Sequence, residues 1–154
     1  MSVQTVAHLN FHGEAREALE FYASVFGGDL TIATYGDFGL PKELPDAGKV
    51  VFGQVAGGNG FQLMAYDVPG ETTPATPAPS THRANGTTIT TEKFFLSVRG
   101  DTIDEVTAYW KALSEGATVI ENLAPARWAP AFGMLTDRFG ITWIIDVAAT
   151  NRQG

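Results

Sequence analysis

The chain contains no cysteine. Disulfides, thiolate metal ligands and a cysteine nucleophile are thereby excluded, and the absence fits a reducing compartment. No stretch approaches the ~18 consecutive apolar residues of a membrane-spanning helix. The opening MSVQTVAHLNF lacks the basic and long apolar segments of a signal peptide. A soluble, cytoplasmic protein without a membrane partner is expected. Positive charge is also scarce: ten Lys and Arg stand against seventeen Asp and Glu, a net charge of −7, and no basic patch is visible. Such a chain repels a phosphate backbone, so nucleic acid is not an expected partner. The acidic balance serves solubility first and a cationic ligand only second. No G-x-S-x-G elbow is present to activate a serine. Gly57-Gly58-Asn59-Gly60 is not a dinucleotide fingerprint, because a strand rather than a helix follows it.

What is there is a repeat. Arg127 to Val147 reads as two strands, Phe132–Thr136 and Ile141–Val147, joined by Asp137-Arg138-Phe139-Gly140. Asp opens turns by accepting backbone N–H groups two residues on, and glycine supplies a positive φ. The same pattern stands 80 residues earlier: Phe52-Gly53 matches Phe132-Gly133, Gly60 matches Gly140, and Leu63 matches Trp143. Each copy follows a helix-like segment, and these match at an offset of 88: Phe21-Tyr22 with Tyr109-Trp110, and Gly28 with Gly116. A repeated unit is best read before any single element.

In order, Thr5–Phe11 alternates as a strand, with Ala7, Leu9 and Phe11 on one face and His8, Asn10 and His12 on the other. Glu14–Phe26 has the 3.6-residue apolar spacing of a helix lying on a sheet, stopped by Gly27-Gly28. Asp29–Tyr35 is a strand, Gly36–Gly48 a loop, and Lys49–Val55 with Gly60–Tyr66 a hairpin. Residues 67–92, holding four Pro and eight Thr, read as a linker or long surface loop. Lys93–Arg99 is the next strand, followed by a helix over Thr102–Ser114 with Asp101 as its N-cap. Ala117–Glu121 is a short strand and Asn122–Pro130 a loop bearing Trp128, before the second hairpin. The expected architecture is α+β. One domain over residues 1–154 contains two βαβββ modules, about 3–66 and about 93–148, making an eight-stranded mixed sheet whose concave face can hold a ligand.

The runs HLNFHGEAREALEFYASVFGGDL and WAPAFGMLTDRFGITWIIDV resemble the PhnB-like branch of the vicinal oxygen chelate superfamily, which also holds glyoxalase I, extradiol dioxygenases and bleomycin-binding proteins. The resemblance covers essentially the whole chain. It implies the paired βαβββ fold with a cupped sheet, a small-molecule ligand and a homodimer. It does not choose between enzyme and non-catalytic binder, because this fold serves both.

Metal-dependent members of that superfamily place His, Gln or Glu on the first and last strands of each module. Carried over, those positions fall on His8, on Gln62 or Met64, on Lys93 to Phe95, and on Ile144. Only His8 and Gln62 survive as ligands, too few to hold a metal well. The expectation is therefore a small-molecule-binding protein with no metal cofactor. The alternative is a glyoxalase- or dioxygenase-like enzyme using one divalent metal ion with His8 and Gln62. Polar residues at matching strand positions, Asn10 with Ser97 and Gln62 with Thr142, either orient a ligand or face water and bond one another. Trp128, a large aromatic in a loop, suits a pocket rim or a dimer interface. Trp143 shares strand parity with Ile141 and Ile145 and is expected beneath a helix. The expected ligand-binding residues are His8, Asn10, Gln62, Ser97, Trp128 and Thr142.

Overall fold

The computed structural model describes residues 3–70 and 80–148, which fall into two compact units, 1–75 and 76–154. The first unit runs β1 (Ala7–Phe11), α1 (Ala15–Phe26), β2 (Asp29–Thr34), β3 (Val50–Ala56) and β4 (Gln62–Asp67). Its four-stranded mixed sheet has the order β1-β4-β3-β2, with β1 parallel to β4 and the remaining pairs antiparallel. The second unit adds a two-stranded ribbon, β5 (Thr81–Ala84) and β6 (Thr87–Thr90). It then repeats the pattern as β7 (Leu96–Gly100), α2 (Ile103–Leu113), β8 (Thr118–Ala126), β9 (Ala129–Thr136) and β10 (Thr142–Val147). Its sheet order, β7-β10-β9-β8, is the same path through the same kinds of pairing. Each unit is thus βαβββ.

The repeated Phe-Gly pair has a steric cause. A Cβ on Gly53 would collide with the Leu19 side chain of α1 and come within 2.9 Å of the Ala65 carbonyl oxygen. A Cβ on Gly133 would lie 2.8 Å from the Trp110 ring of α2 and 2.9 Å from the Leu123 Cα. In both sheets a glycine on the third strand lets a large helical side chain seat directly on backbone. Around each contact the core is the helix-facing strand parity: Leu9, Val55, Leu63 and Ala65 under α1, and Leu135, Trp143 and Ile145 in the second unit. Burying one such large side chain stabilises by about 1.5–3 kcal/mol. Trp143 is buried as expected, and its indole N–H donates to Asp137 Oδ2 at 2.8 Å.

The two helices begin differently. Glu14, in the N-cap position of α1, makes no side-chain cap bond. The carboxylate of Asp67, at the end of β4 and buried, serves instead. It accepts from the N–H groups of Gly13 (2.7 Å), Ala15 (3.1 Å) and Val50 (2.9 Å), tying the helix start to two strands. Asp67 stands where the second unit has Val147, and α2 is capped locally. That cap is Thr102, whose Oγ1 accepts from the Glu105 N–H at 3.2 Å, and not the expected Asp101. Thr102 has the extended backbone an N-cap requires, which puts the helix start one residue later.

Three further boundaries differ from the sequence reading. Part of the stretch read as loop, residues 67–92, is the β5–β6 ribbon, turned at Asn85-Gly86 with φ of 52° and 75°; residues 71–79 of it lie outside the described residues. The β8 strand continues through Ala126, so the expected loop at Asn122–Pro130 shrinks to a turn at Arg127-Trp128. Three register shifts against β9 interrupt the alternation of β8, which concealed it. Finally, β7 begins at Leu96 rather than Lys93.

Candidate functional site

Strand register fixes which residues share a row on the sheet face opposite each helix. In the first unit the row is His8, Met64, Gln54 and Thr31, across β1, β4, β3 and β2. In the second it is Ser97, Ile144, Met134 and Glu121, across β7, β10, β9 and β8. These rows correct one expected correspondence: Ser97 matches His8 rather than Asn10, and Asn10 matches Arg99. Gln62 and Thr142 do match, each preceding the residue that begins the parallel pairing, Leu63 and Trp143.

In the first unit this face is open. His8 and Asn10 are exposed, and Gln62, Met64, Gln54 and Tyr66 are half-buried. His8 Nδ1 lies 3.2 Å from Asn10 Oδ1, and the imidazole meets the Tyr66 ring edge-on at 5.3 Å. His8, Asn10 and Gln62 therefore stand on one face of one sheet. Tyr35 is tied down: its hydroxyl donates to the Asp67 carbonyl oxygen at 2.7 Å. Burial, reinforced by the neighbouring Tyr66, Asp67 and Asp46, pushes its phenol above the usual value.

In the second unit the ribbon and the chain that follows it cover the face. Thr142 is buried, at 2% exposure, and its hydroxyl is committed to the protein. It donates to Glu92 Oε2 at 2.8 Å and lies 2.8 Å from Thr136 Oγ1. Thr81 donates to the same carboxylate oxygen of Glu92. The partners of Thr142, Glu92 and Thr136, are neither Asn10, Gln62 nor Ser97. Ser97 remains exposed. Beside Thr142 a cleft of about 360 Å³ opens between Glu92, Phe94, Ile141 and their neighbours. Its volume is at the lower end of small-molecule pockets.

Trp128, half exposed at the β8–β9 turn, meets Phe132 edge-on at 5.2 Å. Over both rings stands a residue the sequence reading did not single out. The Arg83 guanidinium of β5 stands 5.8 Å from the Trp128 ring centre and 5.4 Å from that of Phe132. Its Nη1 donates to Thr88 Oγ1 at 2.9 Å, and Glu121 Oε2 is 3.9 Å from its Nε. The Asn-Gly turn after Ala84 was the signal for it, being the strongest short-range mark of a hairpin. A hairpin there places Arg83 and His82 on opposite faces, and His82 is indeed the exposed one. At the sheet margin Asp146 is buried and paired through both oxygens with Arg99, at 3.1 Å each. That pair holds the Arg99 guanidinium above its usual value.

A catalytic first-row divalent ion takes about three nitrogen or oxygen ligands from the protein. The first row carries the His8 imidazole, the Met64 thioether, the Gln54 amide and the Thr31 hydroxyl; the second carries the Ser97 hydroxyl, Ile144, Met134 and, at its far edge, the Glu121 carboxylate. Among the described residues no three His, Cys, Asp or Glu side chains converge. No helix among the described residues is long and apolar enough to cross a membrane.

Residues 5–145 match the family model described as the Glyoxalase/Bleomycin resistance protein/Dioxygenase superfamily. No curated protein matches the chain. Among solved structures the chain is similar to protein PA1353 from Pseudomonas aeruginosa, at 32% identity and a TM-score of 0.72, covering 96% of this chain and 98% of that one. It is similar in fold to the PhnB protein from Bacillus cereus, described as a putative 3-demethylubiquinone-9 3-methyltransferase. There the identity is 23%, the TM-score 0.68, and the coverage 95% of this chain and 100% of that one. A glyoxylase/bleomycin resistance protein/dioxygenase domain from Frankia shares the fold at 10% identity and a TM-score of 0.65, over 99% of this chain and 96% of that one. With its family model spanning both βαβββ units, the chain belongs to the glyoxalase/bleomycin resistance protein/dioxygenase superfamily.

Proposed function

We propose that this protein binds a small molecule without a complete catalytic metal site, and that it does so as a homodimer. The observation that carries the reading is the content of the two rows. On the first and last strands of each unit, where metal-dependent relatives are expected to place ligands, the shared row carries His8 and Met64 in one unit and, in the other, Ile144 with Ser97, since Lys93 to Phe95 precede β7. A thioether, a hydroxyl and an alkyl group do not replace carboxylate and imidazole around a hard or borderline cation. Taken separately, the first unit offers the orienting hydrogen bonds of His8, Asn10 and Gln62, and the second offers apolar surface in the cleft beside Thr142.

The test is a thermal-shift panel of small organic acids, amines and neutral aromatics, run with and without chelator. A ligand that binds only the folded state raises the melting temperature with its concentration. The reading predicts compounds whose stabilisation is the same in both conditions. Stabilisation that vanishes with chelator and returns with a divalent ion would replace it with the metal-dependent enzyme reading centred on His8 and Gln62.

A further inference from the structure

Among the described residues, Arg83 Nε is the one buried side-chain nitrogen or oxygen without a hydrogen-bond partner. Buried donors in native proteins are nearly always paired, so an exception asks for an explanation. The Nη1 edge of the guanidinium is held by Thr88. The Nε edge faces Glu121 Oε2, but at 3.9 Å that is an ion pair too long to be a hydrogen bond. Glu121 itself is 45% exposed, so it can swing into water at little cost. The two rings fix the kind of ligand. A cationic ligand would seek the faces of Trp128 and Phe132, and the chain's own guanidinium already occupies that position. What remains unsatisfied is a charged N–H beside a half-exposed indole.

We propose that Arg83 is the anchor for a small carboxylate ligand bearing a planar or aromatic body. The ligand's carboxylate takes the place of Glu121 at the Nε edge, and its body lies against Trp128. Guanidinium pairs with carboxylate side-on in a planar geometry that an ammonium cannot reproduce. This rests on the binding-protein reading above and gives it a ligand class.

The experiment uses the full chain with benzoate as probe and benzamide as its neutral counterpart. The Arg83 Nε–H and Trp128 indole N–H resonances are followed by heteronuclear NMR. Benzoate is expected to shift both saturably, and benzamide neither. Arg83→Gln and Arg83→Lys should each weaken benzoate by about tenfold or more, the scale of a lost charge-assisted hydrogen bond. Arg83→Lys keeps the charge should Arg83→Gln fail to fold. Glu121→Gln should tighten benzoate several-fold by removing the competing carboxylate. The proposal is overturned if benzoate moves neither resonance, if benzamide matches it, or if the Arg83 variants bind it unchanged. It is also overturned if Glu121→Gln destabilises the fold with no gain in benzoate affinity, since Glu121 would then be the structural partner of Arg83. Metal-independent ligands that leave these resonances still would sink this proposal alone. A panel without metal-independent ligands would remove the binding reading beneath it.

Discussion

The two units run the same path through the same pairings, yet they treat the face opposite the helix in opposite ways. In the first, His8 and Asn10 stand exposed on that face. In the second, Ser97, the equivalent of His8, is exposed too, but Arg99, the equivalent of Asn10, is paired with Asp146, and the rest of the face is bonded to the ribbon and the chain after it: Thr142 donates to Glu92, and Thr88 sits 3.7 Å from the Met134 sulfur. The helix starts differ in the same spirit. The first is capped from a strand by Asp67, the second by its own Thr102. A repeat therefore preserves the backbone path and the glycine seats. Polar satisfaction is solved separately in each copy.

Breaking the Asp67 cap should have the largest effect. Asp67→Ala leaves three backbone N–H groups without an acceptor in a buried site. It should cost about 3 kcal/mol or more, read by urea unfolding. Thr102→Ala, the matching change in the second unit, should cost only about 1 kcal/mol. Equal losses would end the claim that the two helix starts are held differently.

The glycine seats should respond alike. Gly53→Ala and Gly133→Ala each force a methyl into a helical side chain and a neighbouring backbone. A loss of about 1–3 kcal/mol is expected in each case. Loss at one site alone would show that the Phe-Gly repeat carries different meanings in the two copies.

Glu92→Ala sharpens the contrast between the faces. It removes the acceptor shared by Thr81 and Thr142. It should cost about 1–2 kcal/mol and speed amide exchange across β5 and β6 before the rest of the second unit.

The smallest effect concerns the loop of the first unit. Lys49 bonds Asp46 at 2.8 Å and holds its carboxyl below the usual carboxylate range. A lowered pKa contributes stability above the ordinary value, and this is lost as the pH falls through the lowered one. Lys49→Gln should return the Asp46 titration toward the ordinary value, and salt should weaken the effect in the parent, both by NMR.

Much of this was legible in the chain. The Phe-Gly repeat, the 3.6-residue stripe from Ala15 to Phe26 and the Asp137 turn are local patterns, and each has the expected structure. The β8 strand was not legible past Glu121, because Pro125 and three register shifts break its alternation. The β5–β6 ribbon was masked by its Thr and Pro surroundings, although Asn85-Gly86 marks its turn. Of the expected site residues, His8, Asn10 and Gln62 share one face of the first unit. Thr142 lies on the matching face but is buried there, bonded to Glu92, which is 50 positions away in sequence. Arg83 escaped notice for the same reason: its partners Glu121, Trp128 and Phe132 are distant in sequence, and no periodicity links them.

The central claim, a binding protein without a complete metal site, is tested most directly by elemental analysis of protein purified without tag or chelator, with its mass in solution taken on the same sample. The account predicts far less than one equivalent of Ni, Zn, Mn or Fe per chain and a dimeric mass. One equivalent of metal, lost in His8→Ala, would contradict it.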